Sequence, residues 1–166
     1  MNSMTMTESL FYDRLQTNVG DLIVAMSEEG LKFVNFADPH NPSVPAGWIH
    51  DPAKLENATS QLREYLNGGR HTFDLPLAPA GTPFQRRVWQ ALTEIPYGRT
   101  ISYRELAQQV ESPRGFRAVG NANGRNPIVI IQPCHRVIAM DGKIGGFSSG
   151  IHRKKYLLEM EGVHTL

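Results

Sequence analysis

From Leu10 to Phe36 the chain carries β-rich runs separated by Asn18-Val19-Gly20-Asp21 and Glu28-Glu29-Gly30, both turn-forming clusters, and this pattern predicts an antiparallel meander of short strands. Ala37 to Gly47 contains Pro39, Pro42 and Pro45 and is predicted as a loop, because proline lacks the N–H that a ladder or helix needs. The period changes at Asp51-Pro52, a cap and first-turn pair. Leu55, Ala58, Leu62, Tyr65 and Leu66 then recur at helical spacing until Gly68-Gly69 stops the helix. A strand is predicted at Thr72 to Leu77. The linker Ala78-Pro79-Ala80-Gly81 follows it, dividing the chain into a domain of residues 1–79 and one of residues 80–166.

The second half opens on another cap pair, Thr82-Pro83, with Phe84, Val88, Leu92 and Ile95 at helical spacing up to the breaker Pro96-Tyr97-Gly98. Ser102-Tyr103-Arg104-Glu105 reads as a capping box in which Ser102 and Glu105 satisfy each other's exposed N–H groups. Ser112-Pro113 starts a further predicted helix, rich in the small residues Ala118, Gly120, Ala122 and Gly124 and carrying Arg114, Arg117 and Arg125. Two short helices across a tight turn, the second small-faced and basic, suit a helix-turn-helix, although many helical hairpins bind nothing.

Composition narrows the function classes. The chain has 166 residues, 40% hydrophobic and 20% charged, as a globular protein with a packed core does. Its longest apolar runs, Leu22 to Met26 and Ile128 to Ile131, fall far short of the roughly 20 residues of a membrane span. The stretch Met1 to Leu10 has neither the basic flank nor the apolar run of a secretory signal, so a cytoplasmic location is expected. The net charge of +1 hides an asymmetry: residues 1–83 hold 5 Lys+Arg against 10 Asp+Glu, and residues 84–166 hold 12 against 6. Nine of those twelve cations are Arg, which favours a phosphate-bearing ligand or, equally well on charge alone, a salt-bridged surface.

The candidate chemistry lies in Pro133-Cys134-His135-Arg136-Val137-Ile138, after a predicted strand at Ile128 to Gln132. Cys134 is the only cysteine, which excludes an internal disulfide, a C-x-x-C redox pair and a Cys-rich zinc knuckle. If Pro133 opens a helical turn, the positive end of its dipole favours a thiolate at Cys134. The plainer possibility is a buried structural cysteine. His135 and Arg136 raise the local positive potential, yet His135 reads equally well as a solvated or merely hydrogen-bonded residue, Arg136 as a core-edge ion-pair partner, and Arg153-Lys154-Lys155 as a solvated face of a helix from Ile151 to Glu161 that ends at Gly162. Gly142 to Gly150 is too glycine-rich for core and fits a loop that lets a flat ligand approach the backbone.

The series Gly81-Thr82-Pro83-Phe84-Gln85, Val88-Trp89, Ile95-Pro96-Tyr97-Gly98, Ser102-Tyr103, Arg117-Ala118-Val119-Gly120, Asn126-Pro127-Ile128 and Pro133 to Ile138 resembles the O6-alkylguanine-DNA alkyltransferases, also called methylated-DNA-protein-cysteine methyltransferases. The likeness runs in order from residue 81 to Gly162. Upstream it rests on Gln61-Leu62, Tyr65-Leu66, Gly68 and Phe73 to Leu77. It implies an α/β fold class: an N-terminal ribonuclease-H-like α/β domain followed by a mostly helical C-terminal domain with a helix-turn-helix.

The implied activity is single-turnover repair of duplex DNA. O6-alkylguanine, with O4-alkylthymine as a candidate second substrate, is flipped out of the helix and gives its alkyl group irreversibly to Cys134. The resemblance further implies that His135, through a water, and Glu161 draw off the thiol proton, that Tyr103 donates to the departing guanine, and that Lys154 lies near the site. It places Ser148 and the glycine-rich loop at O6, Phe147 in the pocket wall and Asn126 at the hinge before the active-site strand. Arg117 would fill the space the base vacates, with Ala118, Gly120 and Tyr103 also at the DNA. Phe147, where the family usually has Tyr, and Phe116, where a small residue is usual, are departures. No cofactor and no metal are implied. The expected partner is double-stranded DNA carrying alkylated guanine, met by a monomer with no required protein partner and no membrane. Two other classes compete: a non-catalytic relative that recognises alkylated bases, against which the presence of Cys134 argues, and a cysteine hydrolase, to which the basic helical half would be superfluous.

Overall fold

The computed structural model describes residues 9–41 and 43–164, so most of the Met1 to Leu10 stretch, and Pro42 of the expected loop, lie outside the described residues. The chain divides into two compact units between Ala80 and Gly81.

In the first unit the alternating runs become β1 (Phe11–Leu15), β2 (Leu22–Ser27) and β3 (Gly30–Phe36), paired antiparallel as the meander requires. A two-residue β4 (Ile49–His50), absent from the sequence expectation, adds parallel to β1 and gives the sheet order β3-β2-β1-β4. Leu10, Ile23, Ala25, Phe33 and Trp48 form one core cluster. Leu22 and Val24 have the opposite parity on β2, and α1 (Pro52–Leu66) packs on β1 and β2 through Leu55, Ala58, Leu62 and Tyr65. Asp51 caps α1 by accepting from the Lys54 N–H, and Gly68 (φ 80°) turns the chain away.

The strand expected at Thr72 to Leu77 is reduced to a single bridge, Leu31 with Leu77. Pro76 cannot donate to a ladder; only its carbonyl serves, accepting from the Leu31 N–H at 2.8 Å. Gly30 must be glycine there, since φ is +146° and a Cβ would stand 2.7 Å from the Pro76 carbonyl oxygen.

The second unit contains α2 (Pro83–Leu92), α3 (Tyr103–Gln109), α4 (Phe116–Gly124) and α5 (Ile151–Met160), with β5 (Ile101–Ser102) and β6 (Val137–Ile138) paired parallel. Thr82 and Gln85 form a capping box on α2, as Ser102 and Glu105 do on α3. α2 stops at Leu92, short of Ile95, which is carried by turns instead. α4 begins at Phe116, later than Ser112-Pro113 suggested, because Ser112 to Gly115 form a turn closed by the Gly115 N–H on the Ser112 carbonyl.

Ile128 to Gln132 is not a strand. The Ile131 N–H returns to Val129 and the Gln132 N–H to Ile128, and Ile130 has a φ of 72°. A β-branched residue in that region is strained and persists only where its surroundings over-determine it. Among the described residues, no helix is long and apolar enough to cross a membrane.

Candidate active site around Cys134

The turn before the cysteine is held from inside by Asn126. Its Nδ2 donates to the Gln132 carbonyl at 2.6 Å, and its Oδ1 accepts from the Ile128 N–H at 3.0 Å and from Gln132 Nε2 at 2.7 Å. One buried amide thus supplies the partners a strand ladder would have given, and this replaces the expected strand by a compact turn.

Cys134 then opens a three-residue 3-10 turn, Cys134–Arg136, and is only 3% exposed. Burial pushes its thiol up to about 11; the Asn126 amide, the Lys154 ammonium and the backbone N–H groups of Cys134 and His135 pull the other way without prevailing. The N–H groups of the turn act in the expected direction, favouring the thiolate, but desolvation outweighs the few that so short a turn can aim at sulfur. Titration of thiolate absorbance, with Cys134→Ser as the blank, should give a midpoint near 11 rather than the ordinary 9; a midpoint below 9 would contradict this burial argument.

His135 and Glu161, 26 residues apart in sequence, meet at 2.8 Å through Nε2 and Oε2, both side chains wholly buried. Arg136 grips the same carboxylate with Nε on Oε1 at 2.9 Å and Nη2 on Oε2 at 3.0 Å, and the Gly98 N–H adds a donor to Oε1 at 3.0 Å. All of these groups are donors, so Glu161 acts as an ionised acceptor. Burial lowers the His135 pKa, against the opposing pull of Glu161, so the ring is neutral at pH 7. Its proton then resides on Nε2, toward Glu161, and Nδ1 is the basic nitrogen. Arg136 is the ion-pair partner the sequence allows, and His135 is buried and hydrogen-bonded rather than solvated.

Lys154 is also buried, which corrects the reading of its cationic run as a solvated face. Its Nζ donates to the carbonyls of Val137 at 2.6 Å and Gly146 at 3.0 Å, so it ties the glycine-rich loop to the strand after the cysteine. Desolvation lowers its pKa to about 8, with Cys134 acting in the opposite sense. Phe147 is half-buried and Ser148 exposed on that loop. A Cβ on Gly145 (φ +72°) would touch Lys154 Nζ and the Tyr103 ring, so the loop lies against both. Tyr103 is half-buried at the start of α3, hydrogen-bonded to Asn123 and electrostatically coupled to Cys134. Burial raises its pKa, with Asn123 lowering it and Cys134 raising it further.

The structure therefore brings Asn126, Lys154 and Tyr103 to act on Cys134, and joins His135, Arg136 and Glu161 in a buried cluster that begins at the next residue. Arg117, Ala118 and Gly120 are elsewhere, on the solvent side of α4. Ala122, grouped with them in the sequence as a small surface residue, is buried instead, its carbonyl accepting from Trp89 Nε1 at 2.8 Å. Sequence reading missed Gln132, the Gly98 N–H and Asn123. The Asn residues of Asn121-Ala122-Asn123 could have drawn attention, since burying an amide on a helix face requires a partner.

The comparisons with known proteins cover both units. The family model "6-O-methylguanine DNA methyltransferase, ribonuclease-like domain" matches residues 10–79, and "6-O-methylguanine DNA methyltransferase, DNA binding domain" matches residues 83–163. The methylated-DNA–protein-cysteine methyltransferase of Methanosarcina barkeri is 46% identical, over 92% of this chain and 97% of its own. That of Mycobacterium tuberculosis H37Rv is 43% identical, over 92% of each chain. A crystal structure of Mycobacterium tuberculosis OGT in complex with DNA superposes with a TM-score of 0.84 at 43% identity, over 91% of this chain and 92% of that one. Matched in both halves and along nine-tenths of its length, the chain belongs to the 6-O-methylguanine DNA methyltransferase family, the methylated-DNA–protein-cysteine methyltransferases.

Proposed function

We propose that this protein repairs duplex DNA by moving the alkyl group of O6-alkylguanine onto Cys134, once per molecule. The observation that carries the reading is a buried thiol beside a neutral histidine whose carboxylate partner is held by fixed donors. As the Sγ–carbon bond forms, the carbon–O6 bond breaks and its electron pair goes to the guanine. The proton that sulfur gives up passes toward His135, through a water as the family likeness suggests, and the resulting imidazolium is stabilised by Glu161. The guanine needs one proton to leave neutral, and the Tyr103 hydroxyl is suited to donate to it. The product is a neutral thioether, a poor leaving group that nothing present in the reaction reverses, so the cycle ends there.

A base must leave the stack to reach a buried sulfur, which implies a flipping surface. The pair α3–α4 suits a helix-turn-helix, and α4 exposes Phe116, Arg117, Ala118, Asn121 and Gly124, with Arg125 exposed just after its end. A Cβ on Gly120 or Gly124 would meet nothing within 4 Å, so the backbone there can approach a minor groove closely. Arg117 is suited to occupy the gap in the duplex, Asn126 to carry α4 on to the active-site turn, and Ser148 and Phe147 to receive the base. The reading needs one chain, DNA and no further protein, so we infer a monomer acting in the cytoplasm, with residues 1–79 as a supporting domain.

Arg117→Ala should slow repair of a duplex lesion by about tenfold while changing affinity for undamaged duplex only about twofold, since a phosphate contact acts on all DNA but a plug acts only on the flipped state. Equal slowing on a single-stranded lesion would contradict the plug. The test of the proposal as a whole is transfer of a radiolabelled methyl group from methylated duplex to protein: a plateau at one per chain supports it, and steady turnover would point to a hydrolase.

A further inference from the structure

Gln132 is 2% exposed and follows the apolar run Ile128 to Ile131, which is buried throughout. An apolar side chain would fill the same place without the cost of desolvating an amide, so the amide is there for what it holds. It holds Asn126 from both ends: the Gln132 carbonyl accepts from Asn126 Nδ2 at 2.6 Å, and Gln132 Nε2 donates to Asn126 Oδ1 at 2.7 Å. The same carbonyl accepts from the Cys134 N–H at 2.7 Å, closing an inverse γ-turn centred on Pro133 (φ −78°, ψ 69°). One carbonyl therefore fixes both the Asn126 amide and the backbone from which the sulfur hangs.

The side-chain bond is not needed to satisfy Asn126. Its Oδ1 already accepts from the Ile128 N–H at 3.0 Å, and that backbone donor, with the Gln132 carbonyl as acceptor, decides which end of the amide is nitrogen. What Gln132 Nε2 adds is a closed ring of hydrogen bonds, which stops the Asn126 amide from rotating and the turn at Ile130 (φ 72°) from relaxing. The Asn126 amide favours the ionised form of the thiol, so its orientation bears on the sulfur as well. We propose that the Gln132 side chain is a positioning residue for alkyl transfer: by locking Asn126 against the turn, it holds the Cys134 backbone, and with it the sulfur, where attack on the alkyl carbon is in line with the breaking bond to O6. The inference rests on the alkyl-transfer reading above. It gives Gln132 a kinetic role, since a small misplacement of a reacting atom costs far more in rate than in stability.

Gln132→Met keeps the length of the side chain and removes the donor, and Gln132→Leu is the second variant should the first not fold. Single-turnover transfer from an O6-methylguanine duplex is measured against DNA concentration for the unaltered protein, Gln132→Met, Asn126→Ala and the double variant, and iodoacetamide modification of Cys134 is followed on the same preparations without DNA. In Gln132→Met the saturating rate constant per reacting chain should fall about tenfold and iodoacetamide modification at least about threefold, with the half-saturating DNA concentration within about twofold of the original. On the Asn126→Ala background the same substitution should change the rate constant less than about twofold, because its effect passes through Asn126. A residue that only supports the fold would lower the fraction of chains that react and leave the rate constant unchanged; that result would overturn the proposal, as would an unchanged iodoacetamide rate or a full effect in the double variant. The single variant decides alone if Asn126→Ala does not fold. No transfer by the unaltered protein would instead overturn the alkyl-transfer reading, while the iodoacetamide rates would still test Gln132.

Discussion

Glu161→Gln is expected to lower stability by about 3–5 kcal/mol and to slow alkyl transfer at neutral pH, recovering in part as pH rises. The carboxylate accepts from His135, from two nitrogens of Arg136 and from the Gly98 N–H, all in a buried site. Glutamine keeps the outline but offers only one acceptor atom, and its NH2 must face donors on the other side. The Arg136 guanidinium stays charged and 5% exposed, left with the Ile95 carbonyl at 2.7 Å as its chief remaining acceptor. Breaking one side of a buried pair leaves the other uncompensated, which is why the loss far exceeds the ~0.5 kcal/mol of an exposed helix-end change. Sequence alone suggests the smaller figure, because Glu161 precedes Gly162 at a helix end. The reactivity change has its own origin: Glu161 holds up the His135 pKa against burial, so its removal makes the base weaker and leaves transfer dependent on the thiolate that forms directly at high pH. Urea midpoints and the pH profile of iodoacetamide modification of Cys134 read the two effects separately. Unchanged midpoints would show that the carboxylate is not a structural anchor, and superimposed profiles would show that it does not act on sulfur.

Cys134→Ser should reduce methyl transfer more than about a thousandfold while leaving affinity for duplex DNA within about twofold. Even the native thiol, pushed up to about 11, ionises only with help; a hydroxyl in the same buried turn is a far weaker acid, and the His135 base cannot make up the difference. Its small size lets it sit beside Asn126 without a cavity, so the Asn126 hydrogen bonds and the surface of α4 should persist. Gel-based transfer assays and fluorescence anisotropy measure both properties on one preparation. Transfer by the serine variant at even a tenth of the native rate would move the acceptor away from residue 134.

Most of the elements were legible because local chemistry specified them. The Asp51-Pro52, Thr82-Pro83 and Ser102 to Glu105 pairs start α1, α2 and α3 where the caps lie, and the Gly20 and Gly30 turns set the meander. The failures share a cause. Ile128 to Gln132 has the composition of a strand, but the Asn126 side chain, two to six residues away, captures its backbone groups, and no propensity records that competition. The Thr72 to Leu77 strand fails because Pro76 removes a donor. At the site, Cys134 was readable as a lone thiol between proline and histidine and so as the candidate acceptor, and the family likeness brought Glu161, Tyr103 and Lys154 to it. The bidentate grip of Arg136 on Glu161 and the burial of Lys154 were not readable, since each depends on α5 folding back onto the 3-10 turn.

The central claim is that one sulfur accepts one alkyl group and keeps it. Intact-protein mass spectrometry after incubation with excess O6-methylguanine duplex, followed by peptide mapping, tests it most directly. The account predicts that every active chain gains a single methyl group in place of a proton, located on Cys134, and that a second addition of substrate produces no further repair. Demethylated DNA in molar excess over protein whose mass is unchanged, or a methyl group found on any other residue, would contradict it.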